Sequence, residues 1–534
     1  MKKVFALILA LIMVLSLAAC GAKAPAAEAP KADAPAAEAP KAEAPKAEEP
    51  KAPEVPALKG PGNVTLKRLG YSVAFDVNTD IGVQIMEEST GYHVEFFALP
   101  SENADEKLLM DIAGGADYDS LYLNVNQYRQ LMAQGALQPL DDLLEVYGQA
   151  ILNAGHPAEV WEALRGEDGH IYGAPYLYPH PNEIANFFTV RKDLTDAAGI
   201  TEMPKTIDEF YNMLVTLKNY YGDQYIICAG PFYQASEANE AWAVPKCITS
   251  AFGIYSDWMV NDAGEVIHIT EHENFGAMLD FMAKLQSEGL IDPDWAVNNE
   301  TTLKEKFSAG KVIVCAANRG LGDYAVPALM TNHNVGWDDL DYITALIGED
   351  GACTYMETTN FNFVTAIPKS SPNAADVVNW WNLRIQDDLH ITIGDEGVHF
   401  NYDANGGIDP INPIFADERG DSYWYMDVST YTWGTEMWPS RVRKSAGQWH
   451  AFERVTMNAP DYIEFATNEF KFKPATENFS LYNTTLFNDT MDFLKQVMAG
   501  TRSSSDIKAL HDDLVVGELE AVRAELQTYY DSIH

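Results

Sequence analysis

The chain has 534 residues, and its 78 acidic side chains against 36 lysines and arginines give a formal net charge of −42. Such a surface repels phosphate backbones, which excludes nucleic acid from the expected partners and argues more weakly against strongly anionic polysaccharides. The length is sufficient for two domains and a substantial hydrophobic core.

The first twenty residues have the pattern of an export signal. Lys2 and Lys3 precede an apolar stretch that is too short to span a bilayer, and no stop-transfer charge cluster follows it. A leucine and two alanines lead directly into Cys20, an arrangement that resembles the lipobox of bacterial lipoproteins. The resemblance implies a signal peptide over residues 1–20, lipid attachment such as palmitate at Cys20, and anchoring on the outer face of the plasma membrane. The alternative is an ordinary secretory signal that happens to end in cysteine.

Residues 21–60 repeat units of alanine, proline, lysine and glutamate and contain no aromatic side chain. Such a segment cannot bury a core, so it is predicted to be a disordered linker. Its regular prolines favour an extended polyproline II chain, which could hold the folded part on the order of 100 Å from the membrane. Residues 61–534 are expected to form the folded domain.

The first hundred folded residues alternate between strand and helix patterns. A buried strand is predicted over 64–69, then a helix that ends at Gly91, then an alternating strand over 92–96. Asn103 is predicted to cap a second helix, and a third strand follows over 118–123. Strands separated by helices of this length predict a parallel sheet with right-handed crossovers.

Three side chains are expected at the ligand-binding edge of this sheet. Ligands of parallel sheets bind beyond the carboxyl ends of the strands. Tyr71, Tyr122 and Asn124 lie at the ends of the first and third predicted strands, so they are the first candidates for ligand contact.

A second alternating region begins near residue 171. Thr206 and Glu209 have the spacing of a capping box, residues 273–289 have an amphipathic helical pattern, and residues 312–316 have that of a buried strand. A helix that carries two tryptophans follows Pro372, and several long helices precede the C-terminus. The chain is therefore predicted to be α/β in at least two units.

Besides Cys20, the chain has four cysteines, Cys228, Cys247, Cys315 and Cys353. None lies in a Cys-x-x-Cys pair or near a suitably spaced histidine, so zinc is not expected. Their apolar neighbours favour buried free thiols, with one disulfide as the alternative.

Several different short motifs are distributed along most of the chain, among them QGALQPLDDL at 134–143, EGLIDPDW at 288–295 and IPKSS at 367–371. Further segments lie at 87–95, 190–194, 204–210, 307–312 and 394–400. Taken in their order along the chain, these segments resemble the extracellular solute-binding proteins (family 1) of ABC importers. The most similar branch is the large lipoprotein type associated with oligosaccharide uptake.

The resemblance implies an α/β fold, a two-lobed periplasmic-binding-protein-like clamp (type II) with parallel-type sheets flanked by helices. Because the chain crosses between the lobes more than once, each lobe is expected to be discontinuous in sequence. One lobe takes about 63–175 and part of 320–415, and the other about 176–319 and much of 416–534. The implied function is capture of an oligosaccharide by hinge closure and delivery to the permease subunits of the importer. The protein is expected to be a monomer without catalytic activity or cofactor.

Sugar rings present C–H faces that pack on aromatic side chains, and their hydroxyl groups bind amides, carboxylates and arginine. The aromatic candidates at strand ends or crossing loops are Tyr71, Tyr122, Tyr176, Tyr178, Trp242, Trp424 and Trp433. The polar candidates are Asn124, Glu183, Glu240, Arg319 and Glu357. Tyr176 is the strongest, since GAPY at 173–176 matches the lobe-crossing segment of the family, whereas Arg319 could equally be a structural ion-pair partner.

No metal is carried over from the resemblance. Many relatives have an acidic loop after the Thr-x-x-Glu helix, but residues 218–224 contain one carboxylate here, and calcium prefers six to eight oxygen ligands. Residues 403–407 are a weak substitute and more typical of a turn. His268 and His272 match the H-x-x-E-H pattern of certain zinc peptidases. The strand predicted at His268 would hold the two histidines too far apart to share a zinc.

Two alternatives to an oligosaccharide-binding protein stay open. The same clamp could bind a peptide or another small solute, because the sequence does not show which charged groups face the ligand. A cell-surface glycosidase is less favoured, since carboxylate pairs arise by chance in so acidic a chain. The chain also lacks a Gly-x-Ser-x-Gly elbow and a Gly-Lys-Ser/Thr phosphate loop.

Overall fold

The computed structural model describes residues 55–534, apart from 74, 101–102, 178–179, 185, 231–243, 318–320, 405, 423–425 and 475. The predicted signal peptide, Cys20 and the linker up to residue 54 lie outside the described residues. Within the described part, no helix combines the length and apolar composition needed to cross a membrane.

The strands are β1 (Thr65–Tyr71), β2 (His93–Leu99), β3 (Ser120–Leu123), β4 (Gly173–Leu177), β5 (Phe187–Arg191), β6 (Ile226–Ala229), β7 (Trp258–Val260), β8 (Val266–His268), β9 (Val312–Ala317), β10 (Leu340–Ile343), β11 (Thr354–Met356), β12 (Phe361–Ala366), β13 (Phe400–Tyr402), β14 (Ile408–Pro410) and β15 (Glu464–Ala466). The α-helices are Ile81–Thr90, Ala104–Ala113, Val125–Ala133, Asp141–Tyr147, Gln149–Leu152, Ala158–Ala163, Lys192–Ala197, Ile207–Tyr221, Lys246–Thr249, Phe275–Ser287, Glu300–Ser308, Leu321–His333, Ala374–Gln386, Asp388–Thr392, Ile414–Arg419, Trp433–Glu436, Trp438–Val442, Ala446–Phe452, Glu477–Met498, Ile507–Val516 and Leu519–Ile533.

The first large sheet has the strand order β2-β1-β3-β12-β4. β1 pairs in parallel with β2 and β3, which confirms the parallel arrangement predicted for the first three strands. β12 runs antiparallel to both β3 and β4. β12 therefore begins at the end of the sheet where β1 and β3 finish. Before it does so, the chain contributes β5, β6, β9 and β10 to the second sheet.

The second large sheet has the order β10-β5-β9-β6. β6 and β9 are parallel, whereas β5 is antiparallel to β9 and to β10. Both sheets are therefore mixed rather than purely parallel. The first sheet takes β1–β4 and then β12, on either side of the second sheet's strands in the chain, and the core of the second sheet includes C-terminal residues such as Leu494, so each lobe is discontinuous in sequence, as predicted.

The local signals at helix ends had different outcomes. The helix Ile81–Thr90 ends at Gly91, whose φ of 71° is a left-handed conformation that glycine adopts without strain. The capping box of Thr206 and Glu209 is present at the start of the helix Ile207–Tyr221. The prediction for Asn103 is wrong in its mechanism, because its side chain makes no capping hydrogen bond. Its left-handed φ of 58° departs from the extended backbone that lets a capping side chain reach the first helical N–H groups.

Each large sheet is covered by its own hydrophobic core. Trp380 and Trp381, on the helix predicted after Pro372, are fully buried in the core of the first sheet. The predicted apolar stripe of the helix Phe275–Ser287 is buried in the core of the second sheet, together with the long C-terminal helices. The lobe to which each of these helices belongs follows from this packing, while the residue limits proposed for the lobes stay predictions.

Candidate functional site

Four of the predicted site residues meet in one buried group, which we call the aromatic cluster. They are Tyr71, Tyr122, Tyr176 and Trp433. The other members, which the sequence reasoning missed, are Phe363, Met426, Met437, Trp438, Val442, Trp449 and Phe452. The cluster therefore joins residues that are separated by up to several hundred positions in the chain.

The strands of the first sheet bring the cluster to one edge. Tyr71 ends β1, and Tyr122 and Tyr176 lie next to the last residues of β3 and β4. Phe363 lies near the start of β12, and because β12 is antiparallel its start reaches the same edge. Tyr71 and Tyr122 are therefore at the predicted edge. Phe363 had no detectable signal, since the direction of β12 depends on tertiary structure.

The rings of the cluster pack in two orientations. The Tyr122 and Phe363 rings are stacked with their centres 4.3 Å apart, and the Tyr176 and Trp433 rings are edge-on at 5.9 Å. Trp433 continues to Trp438 at 5.7 Å. Tyr122 is 3% exposed, and its burial raises the pKa of its hydroxyl well above the usual value. The Tyr122 hydroxyl is therefore neutral, and the members of the cluster that stay partly accessible are Tyr71, Phe363, Met437 and Trp449.

A buried ion pair supports the cluster from the side of β1. The Arg68 Nε donates to the Asp427 Oδ1 at 3.0 Å, and both side chains are almost fully buried. The Arg68 guanidinium also lies 4.3 Å from the centre of the Tyr122 ring, a cation–π contact. Burial raises the pKa of the Asp427 carboxyl, although Arg68 acts in the opposite direction. Arg68 therefore connects Tyr122 to the segment that precedes Trp433.

The segment that carries Asp427 is fastened across the first sheet. The Thr365 hydroxyl donates to the Asp427 carbonyl oxygen. The Ser429 N–H donates to the Pro175 carbonyl at 3.2 Å, and the Ser429 hydroxyl oxygen accepts the Leu177 N–H at 3.2 Å. These hydrogen bonds attach the segment to β12 and β4 and so position the residues that lead to Trp433.

Asn124 lies beside Tyr71, but its side chain serves the helix that follows. Its Oδ1 accepts the Gln127 N–H at 2.8 Å and completes a capping box for the helix Val125–Ala133. The Tyr71 hydroxyl donates to the Gln127 Oε1 at 2.9 Å and accepts the Asn124 N–H at 3.1 Å. Asn124 therefore orients Tyr71, and a direct contact of its side chain with ligand stays a prediction.

The two other described polar candidates differ in their surroundings. Glu357 forms an ion pair with Lys471 at 3.3 Å. Glu183 is buried, and its N–H donates to the His180 carbonyl at 3.2 Å. The His180 ring is edge-on to the Phe452 ring at 5.8 Å, and burial lowers its pKa to about 4. Glu183 is thus linked to the cluster through His180, whereas the carboxylate of Glu357 is used within the protein.

The remaining predicted residues, Tyr178, Trp242, Trp424, Glu240 and Arg319, lie outside the described residues. Their roles in ligand binding stay predictions.

The zinc-peptidase pattern does not have the geometry that such a site needs. His268 ends β8, is buried, and lies 3.0 Å from the Thr270 hydroxyl through its Nδ1. His272 follows a short 3-10 helix over Ile269–Glu271. The two histidines are therefore not on successive turns of one α-helix.

The remaining predictions concern the four thiols and the turn at residues 403–407. Cys228, Cys247, Cys315 and Cys353 are buried free thiols, which confirms the favoured interpretation. Asp403 accepts the Gly407 N–H at 2.9 Å in the turn between β13 and β14, as expected for a turn. In the part of the chain that the structure describes, no group of three or more His, Cys, Asp or Glu side chains is arranged to hold a metal ion.

Comparison with known proteins agrees with this architecture. The family model of the bacterial extracellular solute-binding proteins matches residues 77–384, more than half of the chain. The fructooligosaccharide ABC transporter substrate-binding protein FusA of Streptococcus pneumoniae is 27% identical over 237 residues, which is 41% of this chain and 43% of FusA. The lipoprotein LipO of Bacillus subtilis is 23% identical over 297 residues, 54% of this chain and 56% of LipO. The matches thus span about half the length of these two relatives.

Solved structures extend the similarity in fold to 88% of the chain. FusA of S. pneumoniae in complex with kestose has a TM-score of 0.65 at 20% identity and is covered over 99% of its length. A solute-binding protein from Bifidobacterium longum infantis, described as binding HMO, has a TM-score of 0.62 at 15% identity and is also covered over 99%. These neighbours are two-lobed solute-binding proteins. The chain belongs to the bacterial extracellular solute-binding proteins.

Proposed function

We propose that this protein is the lipid-anchored binding component of an ABC importer, that it captures an oligosaccharide between its two lobes, and that it delivers the oligosaccharide to the permease. The observation that carries the proposal is the aromatic cluster at the carboxyl edge of the first sheet. Aromatic faces pack against the C–H faces of sugar rings, and tyrosine hydroxyls and indole N–H groups bind sugar hydroxyls.

The relatives support the choice of ligand class. FusA is named for fructooligosaccharide, and YtcQ of Bacillus subtilis is named as a polygalacturonan- and rhamnogalacturonan-binding protein. The charge of this chain favours a neutral sugar over a uronic acid polymer, because −42 repels anions. Beside the described aromatic cluster, the Arg68 guanidinium is paired with Asp427 and does not bind a carboxylate of the ligand.

The same residues support binding without turnover. The side chains of the cluster are apolar or neutral, and the two carboxylates linked to it above, Asp427 and Glu183, are buried. Glycoside hydrolysis needs a pair of carboxyl groups that flank the scissile bond. We propose that the ligand leaves the clamp unchanged, by lobe opening at the permease.

Anchoring at Cys20 completes the proposal. The lipobox pattern, the proline-rich linker and the similarity to the lipoprotein LipO support it. Incorporation of labelled palmitate into the wild-type protein but not into the Cys20→Ala variant tests it. Equal labelling of both proteins would exclude lipid attachment at this residue.

A thermal-shift screen of the purified protein tests the ligand class. Fructo-, malto- and xylo-oligosaccharides, free monosaccharides and short peptides are added separately. A ligand that binds the native state alone stabilises it by about 2.7 kcal/mol at a hundredfold excess over Kd. We expect a higher Tm with one oligosaccharide series and no release of reducing ends. A shift with peptides alone would replace the oligosaccharide with a peptide ligand, and steady release of reducing sugar would show a glycosidase.

A further inference from the structure

A cavity of about 190 Å³ lies at the carboxyl ends of β1 and β2, directly beside the aromatic cluster. Tyr71 and Tyr122 belong to both the cluster and the wall of the cavity. Asp76, Asn78, Phe97 and Ala98 form much of the remaining wall. A ligand that contacts the cluster at its partly accessible member Tyr71 can therefore continue into this space.

The outer wall of the cavity is held in place by hydrogen bonds. The Asn78 side chain donates to the Phe96 carbonyl at 3.0 Å and accepts the Phe96 N–H at 2.8 Å. The Asp76 carboxylate accepts the Asn78 N–H at 3.1 Å and caps a short 3-10 helix over Val77–Thr79. Since β2 is the outermost strand of its sheet, this double contact binds the Phe96 backbone groups on that side and fixes the outer wall. A wall that is ordered before binding costs less free energy to organise around a ligand.

The size and chemistry of the cavity match one sugar ring. Sites that enclose a whole drug-sized ligand measure roughly 300–1,000 Å³, so about 190 Å³ accommodates a single ring rather than a chain. The wall combines the aromatic ring of Tyr71 with an amide and a carboxylate that can bind hydroxyl groups. The small volume and the ordered outer wall together favour the end of a chain over its middle.

Ala98 is a small residue in the wall of the cavity. It lies on β2 with the same side-chain parity as Val94 and Phe96, which pack in the core, but it is itself exposed at the end of the strand. A larger side chain at this position would extend into the cavity instead of into the core.

We propose that this cavity is an end subsite, which receives the terminal sugar ring of an oligosaccharide whose next rings lie along the aromatic cluster, and that Ala98 determines whether the ring fits. The inference rests on the proposed function, because it assigns a place to one end of the same ligand.

The test compares the wild-type protein with Ala98→Trp by titration calorimetry. The probes are fructo-, malto- and xylo-oligosaccharides of two to six units. We expect the variant to bind a chain of a given length as the wild type binds a chain that is one unit shorter. For the longest chains the loss is at least tenfold in Kd. Ala98→Leu is expected to give a smaller loss in the same direction and covers the case in which the tryptophan variant does not fold.

Ala133→Trp is the matched control. Ala133 is exposed at the far end of the helix Val125–Ala133, which begins at the edge beside Tyr71 and leads away from it. This control is expected to bind every length as the wild type does. The end subsite is overturned if both Ala98 variants fold and bind all lengths with wild-type affinity, or if they weaken every length equally. A wild-type protein that binds none of the three series would instead overturn the proposed function and the subsite with it.

Discussion

Trp433 and Trp381 differ in position but are matched in burial. Both side chains are less than 2% exposed, and the indole N–H of each has no hydrogen-bond partner among the described residues. Trp433 belongs to the aromatic cluster, whereas Trp381 lies in the core of the first sheet. The pair therefore separates the role of an aromatic side chain in binding from its role in folding.

Replacing either tryptophan with phenylalanine is expected to lower the free energy of unfolding by about 0.5–3 kcal/mol, as most core substitutions do. Only Trp433→Phe is expected to weaken oligosaccharide binding, by roughly tenfold, because about 1.4 kcal/mol of ring contact is lost. Urea denaturation measures the first quantity and titration calorimetry the second. An equal loss of affinity in Trp381→Phe would show that the cluster is a packing core only.

The ion pair between Arg68 and Asp427 is expected to contribute to the stability of the folded state. Arg68→Met leaves the Asp427 carboxylate buried without its partner at 3.0 Å, which is expected to cost about 3–5 kcal/mol of stability. The double variant Arg68→Met with Asp427→Leu is expected to recover part of that loss, since no buried charge remains. Urea denaturation of the three proteins checks this. A double variant as unstable as the sum of the single variants would show that the two charges do not interact.

At the scale of elements, the helix Ile207–Tyr221 shows how local sequence determines a boundary. The Thr206 hydroxyl oxygen accepts the Glu209 N–H at 3.1 Å, and the Glu209 carboxylate accepts the Thr206 N–H at the same distance. The Ile207 N–H also donates to the Ile347 carbonyl at 3.0 Å, which ties the start of the helix to a distant segment. The cap therefore has a local part and a tertiary part.

Thr206→Ala removes the side-chain acceptor and is expected to lower the free energy of unfolding by about 1 kcal/mol. Thr206→Ser keeps the acceptor and is expected to be close to wild type. Both variants should bind oligosaccharide normally, because Thr206 is remote from the aromatic cluster in the contacts that the structure shows. Denaturation curves measure the free energy of unfolding of both variants. An alanine variant as stable as the serine variant would contradict the role of the cap.

At the scale of the whole molecule, buried histidines make stability depend on pH. Burial lowers the pKa of His156 to about 4 and that of His268 to about 3. The unfolded chain binds these protons near pH 6.5, whereas the folded chain keeps both rings neutral. Stability therefore falls as the pH falls from about 6.5 to about 4, because the unfolded state binds more protons over that range.

His156→Gln isolates one of these contributions. The His156 Nε2 lies 2.8 Å from the Ser429 carbonyl, a contact that a glutamine amide can replace. Between pH 6.5 and 4 the variant is expected to lose stability less steeply than the wild type, by up to about 1.4 kcal/mol per pH unit. Tm measured across this pH range gives the dependence of stability on pH for each protein. His333→Gln, at an exposed position, serves as control. Identical slopes for the wild type and His156→Gln would contradict the prediction.

The local elements and the family could be predicted from the amino-acid sequence. The first three strands, the helix that ends at Gly91 and the cap at Thr206 depend on contacts within a few residues, so their patterns are visible in the chain. The same holds for the edge on which Tyr71 and Tyr122 lie, because parallel strands share one carboxyl edge. Asn103 shows the limit, since its left-handed backbone overrides a capping signal.

The set of distant residues that form the site depends on the tertiary structure and could not be predicted. The reversed direction of β12 carries Phe363 to the carboxyl edge, and the bonds of Asp427 and Ser429 bring the segment with Trp433 across the sheet. The support of Tyr122 by Arg68 and the space beside Ala98 likewise depend on neighbours far away in the chain. Hydrophobic periodicity reports which face of an element is buried but not its partner, so this part of the site had no signal in the sequence.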